Sequence, residues 1–134
     1  MREDLVVEGV ARWFQRKYGA GIYCGECTTR TRKRADLVYA KRADVVHVIE
    51  AKARADSMMA AFRQLSYYPG NYKWFALPEA EYLDSGGGIA TECSNRGYGL
   101  LLVSGSPARL SVTPRRVAEY RPGNFASSWP AIFG

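Results

Sequence analysis

The sequence predicts an α/β domain in which a mixed central β-sheet is flanked by helices. Three observations point there. The chain has 134 residues, the usual length of one domain with a single modest core. Its apolar periodicity alternates between helical and strand spacing, in the order helix, three strands, helix, strand, polar helical segment and one or two strands. Strands interleaved with helices after an antiparallel start build mixed sheets covered on both faces.

Residues 4 to 18 carry Val7, Val10, Ala11, Phe14 and Tyr18 at three- and four-residue spacing, one apolar stripe on a helix. Asp4 is placed to cap its start, and Gly19 falls just past its end. Residues 20 to 30 read as a strand. A basic run, Arg30-Thr31-Arg32-Lys33-Arg34, leads into a second strand around Leu37-Val38-Tyr39-Ala40. Val45-Val46-His47-Val48-Ile49 is β-branched and almost continuously apolar, which suits a strand covered on both faces at the sheet centre. The short polar link Lys41-Arg42-Ala43-Asp44 predicts that these two strands pair antiparallel.

Asp56 and Ser57 start a second helix that Pro69-Gly70 stops near Tyr68. A strand at 72 to 77 follows, and Pro78 opens a polar helical segment that Gly86-Gly87-Gly88 must interrupt. Leu100-Leu101-Leu102-Val103 is a buried strand, and 108 to 113 a last one at the edge. Residues 1 to 113 thus form one domain. Residues 114 to 134 carry three prolines with Phe125, Trp129 and Phe133, too aromatic for a free linker, so this tail is expected to pack on the core or on a partner.

No apolar run reaches the length that spans a bilayer, and the start lacks a signal-peptide pattern, so an intracellular location is expected. A formal charge of +6 favours polyanions, of which nucleic acid is the commonest inside cells. Cys24 and Cys27 form a lone C-x-x-C with Cys93 far away. Zinc wants four ligands, and only His47 is on offer as the fourth. Reduced, half-buried thiols are the expected state.

Side chains two apart on a strand share a face, so Glu50 and Lys52 point the same way at the end of the central strand, and His47 points the other way, into packing. In an antiparallel hairpin the start of one strand meets the end of the next, which brings Asp36 to Glu50. Two close carboxylates repel unless a cation lies between them, and oxygen-only ligation suits Mg²⁺ or Mn²⁺. A lysine beside the pair can stabilise phosphate charge in a transition state or orient an attacking water.

Arg34-Ala35-Asp36 followed by Glu50-Ala51-Lys52, in helix-strand-strand-strand-helix-strand order, resembles the PD-(D/E)xK nuclease superfamily. The likeness covers roughly residues 4 to 77, with Ala35 standing where the motif's name has proline. It implies a restriction-endonuclease-like αβββαβ core. It also implies Asp36, Glu50 and the Ala51 carbonyl as metal ligands, Lys52 as the catalytic lysine, and Glu8 on the first helix as an added metal support. Gln64 through Tyr68 resembles the QxxxY motif of the RecB-type, λ-exonuclease-like branch. Residues four apart share a helix face, so Gln64 and Tyr68 would order substrate or water together. Clustered cysteines that hold iron–sulfur in some relatives are not matched here.

Arg30, Arg32, Lys33 and Arg34 stand beside the expected metal site, with Arg54 and Arg63 nearby, and are expected to grip DNA phosphates without reading sequence. The resemblance therefore implies a divalent-metal-dependent deoxyribonuclease, either an end-processing exonuclease or a structure-specific endonuclease. Junction resolvases of this size are usually dimers, which brings a homodimer into view. The rival expectation is a non-catalytic nucleic-acid-binding or assembly protein that has kept the fold.

Overall fold

Helix α1 (Glu3–Tyr18) is followed by strands β1 (Ile22–Thr28), β2 (Arg34–Arg42) and β3 (Val45–Ala51). A 3₁₀ turn at Ala55–Ser57 leads into α2 (Met58–Tyr67), then β4 (Tyr72–Pro78), α3 (Glu79–Ser85), α4 (Gly88–Arg96), β5 (Gly99–Ser106) and β6 (Arg109–Arg116). A second 3₁₀ turn at Ala126–Ser128 and the short helix α5 (Pro130–Phe133) close the chain. This is a computed structural model, and it describes residues 1 to 85 and 87 to 134. Gly86, one of the three glycines expected to break the polar helix, lies outside the described residues.

The six strands form one mixed sheet in sequence order, β1 to β6. β1, β2 and β3 are antiparallel, β3, β4 and β5 parallel, and β5 and β6 antiparallel again. Parallel neighbours need a crossover, and α2 and the α3–α4 pair supply the two. Helix α1 covers one face, with Ala118 of the tail beside it, burying Val6, Val10 and Phe14 against Leu37, Tyr39, Ile49 and Trp74. The other face packs Val38, Val46, Val48, Phe75 and Leu77 against α2, α4 and the tail. With apolar cover on both sides, Trp74 and Phe75 are adjacent in sequence yet each is buried, one per face.

Local chemistry differs from the sequence reading at four points. Arg2 is the N-cap of α1 and Asp4 lies inside the first turn, where a carboxylate still favours the helix dipole. Helix α2 ends at Tyr67, because Tyr68 precedes proline and takes an extended backbone. Strand β6 runs to Arg116, three residues into the expected tail, so Pro114 is an edge-strand residue, where its missing N–H costs little.

The cysteines are the fourth difference. Cys24 and Cys27 are joined as a disulfide, not reduced thiols, and only Cys93 is free and buried. Residues three apart on a regular strand face opposite sides. Glu26 between them has a left-handed backbone, φ 49°, and Cys24 and Cys27 both pack on the α2 side.

The tail packs on the core. Trp129 is wholly buried, and its indole N–H donates to the Pro69 carbonyl at 2.8 Å. Asn71 holds the strap from the other end, its side-chain amide donating to the carbonyls of Arg121 and Gly123. Among the described residues, no helix is long and apolar enough to cross a membrane.

Candidate active site

The β2–β3 register pairs Leu37 with Ile49 and Val38 with Val48, and its continuation sets Asp36 opposite Glu50. The side chains lock the pair. The Asp36 backbone N–H donates to Glu50 Oε1 at 3.3 Å, and the Ala51 N–H donates to Asp36 Oδ2 at 2.8 Å. Each carboxylate therefore has one oxygen held by backbone. Strand parity puts Glu50 on the face of Val46 and Val48, beneath α2.

Glu50 is 1% exposed, among the most buried side chains in the chain. Burial and the neighbouring Asp36 push its carboxyl up to about 8, and the charge of Lys52 only partly offsets this. Lys52 follows one residue past β3, half-buried, where its backbone N–H continues the sheet by donating to the Ala76 carbonyl at 3.0 Å. Among the described residues its ammonium makes no hydrogen bond or ion pair, so it is available to a ligand.

Gln64 and Tyr68 come to the same place. The Tyr68 hydroxyl donates to the Arg34 carbonyl, the residue two before Asp36. Its phenol is raised by burial first and then by Glu50 and Asp36, which places it against the carboxylate pair. Gln64 Oε1 is buried and has no hydrogen-bond partner among the described residues. An orphaned buried acceptor is costly and signals a missing donor, such as a water or ligand. Arg32, Lys33, Arg34 and Arg63 join Gln64, Tyr67 and Tyr68 around one cleft of about 380 Å³. The turn before β2 aims these cations. Arg32 sits at φ 66°, and the Lys33 N–H is held by Thr29 Oγ1 at 3.0 Å.

The remaining sequence candidates lie elsewhere. Glu8 is half-exposed on α1 and ion-paired with Arg12. Helix α1 instead brings Glu3 and Asp4 toward Asp36, where with Val7, Gly25 and Glu26 they line a cleft of about 280 Å³. The family resemblance singled out Glu8, but the N-terminal turn is what overhangs the start of β2. Arg54 is exposed and committed to Asp56 at 3.1 Å, outside the basic cleft. Arg30 borders a neighbouring cavity with Thr29, Thr31 and Ser66. His47 lies on the α1 face as expected, accepting from the Trp74 indole at 3.1 Å, and burial lowers it to about 3. Tyr67, which the sequence left unassigned, stands at the mouth of the basic cleft. Its signal was the four-residue spacing from Arg63, which puts both on one helix face.

The donor set suits a hard divalent cation. Asp36, Glu50 and the Ala51 carbonyl are the oxygen donors that could hold such an ion, with Lys52 the nearby cation that acts on Glu50. Among the described residues, no group of three or more His, Cys, Asp or Glu side chains is placed to hold a metal ion.

No family model matches the chain, and no curated protein does either. Among solved structures it is similar to the SPO1766 protein of unknown function from Silicibacter pomeroyi, with a TM-score of 0.64 and 18% sequence identity. The alignment covers 90% of this chain and 74% of that one. At that identity the likeness establishes a shared α/β fold, a six-stranded mixed sheet flanked by helices.

Proposed function

We propose that this chain is a divalent-metal-dependent deoxyribonuclease with a PD-(D/E)xK-type site on a restriction-endonuclease-like core. One observation carries the reading. Glu50 is buried opposite Asp36 at the open end of an antiparallel hairpin, with Lys52 two residues further on. Surface carboxylates that merely solubilise a protein do not sit 1% exposed against another carboxylate.

Asp36, Glu50 and the Ala51 carbonyl are the residues that would hold Mg²⁺ or Mn²⁺. Such an ion, when bound, supplies Lewis-acid activation of water and of the phosphodiester. The residues divide the remaining tasks. Lys52 lies beside the carboxylate pair and offsets charge that builds on the phosphate oxygens as the P–O bond breaks. Gln64 Oε1, an acceptor without a donor, orients the attacking water by accepting one of its hydrogens. Tyr68 ties the backbone of Arg34 to the site and so fixes the basic run relative to Asp36. Arg32, Lys33, Arg34 and Arg63 hold the DNA backbone in the cleft.

The test is cleavage of single-stranded, duplex, flap and four-way DNA in Mg²⁺ or Mn²⁺, with Lys52→Ala beside the wild type. Cleavage is expected from wild type, falling at least a hundredfold in the variant, an estimate from the usual worth of one transition-state charge contact. Salt-sensitive binding without metal-dependent cleavage of any substrate would favour the non-catalytic reading. Cleavage undiminished in Lys52→Ala would remove this site from the reaction.

A further inference from the structure

Tyr67 ends α2, and it is 60% exposed. Its ring lies under the Lys33 ammonium, 4.8 Å from the centroid, and its hydroxyl makes no hydrogen bond among the described residues. It also stands between two cavities. On one side is the basic cleft of Arg32, Lys33, Arg34 and Arg63. On the other is a cavity of about 460 Å³ bordered by Arg30 and by the hydroxyl residues Thr29, Thr31, Ser66, Ser127 and Ser128. Among the described residues, neither cavity has an acidic residue in its wall.

The two sides offer different chemistry. The basic side suits phosphate. The other has an aromatic wall for stacking. Ser66 donates to the Arg63 carbonyl and Thr29 pairs with Thr31, but the Ser127 and Ser128 hydroxyls make no hydrogen bond among the described residues and are open to a base edge. Its wall is preformed, because Trp129 anchors the tail and the Arg30 N–H donates to the Ser128 carbonyl at 3.2 Å. A base inside a duplex has both π-faces covered by its stacked neighbours, so a tyrosine can stack only on an unpaired one.

We propose that Tyr67 and the hydroxyl-lined cavity behind it form a subsite for an unpaired nucleotide, so that the DNA in the basic cleft is single-stranded where it passes this residue. The proposal rests on the nucleic-acid reading above and narrows its substrate. The backbone runs along Arg32, Lys33, Arg34 and Arg63, and one base turns onto the Tyr67 ring into the cavity. A duplex would contact the cations alone and leave Tyr67 idle.

The experiment is fluorescence anisotropy in EDTA, where no cleavage occurs, with a labelled oligo-dT and a labelled blunt duplex of equal length. Wild type is expected to bind oligo-dT more tightly. Tyr67→Ala should weaken oligo-dT binding about tenfold, the usual worth of one base–aromatic stack, and change duplex binding less than twofold. Tyr67→Trp, which keeps a stacking face, should restore it. Equal losses for both DNAs, or no loss for oligo-dT, would overturn the subsite while leaving a nucleic-acid cleft standing. Failure of wild type to bind either DNA would overturn the nucleic-acid reading, and the subsite with it.

Discussion

Glu50 concentrates the physics of this protein in one side chain. A carboxyl with an ordinary value of 4.5 is pushed up to about 8, mainly by burial and then by Asp36. The folded state thus binds a proton that the unfolded chain releases, so stability falls as pH rises from 4.5 toward 8. His47 acts in the opposite direction at lower pH. Burial holds it neutral down to about 3, and the Trp74 indole occupies its Nδ1 lone pair, so its contribution is lost only as pH falls below 6.5. Between pH 6.5 and 8 the Glu50 slope leads, opposed as pH nears 8 by Lys73, which burial lowers to about 8. Urea unfolding in EDTA is expected to show a net loss of about 1 kcal/mol across that window, from 1.36 kcal/mol per pH unit less the half-ionisation of Glu50 at pH 8 and the opposing Lys73. Glu50→Gln should flatten the profile, since a neutral amide needs no proton. An equally steep slope in the variant would show that the charge problem lies elsewhere.

The hairpin and the tail decide how the elements hold this residue. The β2–β3 hairpin was legible because Val45 to Ile49 is β-branched and a short polar link precedes it, and the register follows from the hairpin itself. Trp129 was legible only as an aromatic that must be covered; its burial beside Tyr68 depends on a contact across sixty residues of chain. Trp129→Ala should cost about 3–5 kcal/mol in denaturant unfolding, as large aromatic truncations in a core do. A loss below 1 kcal/mol would mean that the tail is not part of the core. The Cys24–Cys27 disulfide was not legible. It requires a left-handed Glu26, and residues with a Cβ rarely take that conformation, so no propensity announces it. Glu3 and Asp4 were missed for a related reason. Periodicity defines the buried stripe of α1 but not which turn of the helix reaches a neighbouring strand end.

On the scale of the whole molecule, nineteen cationic residues against thirteen anionic ones set a polyanion-seeking surface, and the fold focuses it. Arg32, Lys33, Arg34 and Arg63 share one cleft, while Arg42 and Arg54 are each neutralised by a nearby aspartate. Composition could count charges but not sort the paired from the free. Four phosphate contacts to single-stranded DNA give an expected slope of log affinity against log salt of about −3. Arg63→Ala should make that slope shallower by about 0.7, and Arg54→Ala should leave it unchanged. A slope near zero would exclude the cleft as a phosphate track. The orphaned Gln64 oxygen belongs to the basic cleft, and the Tyr68 hydroxyl links that surface to the strand that carries Asp36.

That surface has its meaning only if Asp36 and Glu50 share a cation. The direct measurement is Mn²⁺ titration followed by electron paramagnetic resonance, at pH 8, for wild type, Asp36→Asn and Glu50→Gln. One or two ions should bind the wild type, and either substitution should weaken binding at least tenfold, since each removes a charged ligand from an all-oxygen site. No bound Mn²⁺ in the wild type, or equal binding in all three proteins, would contradict the account.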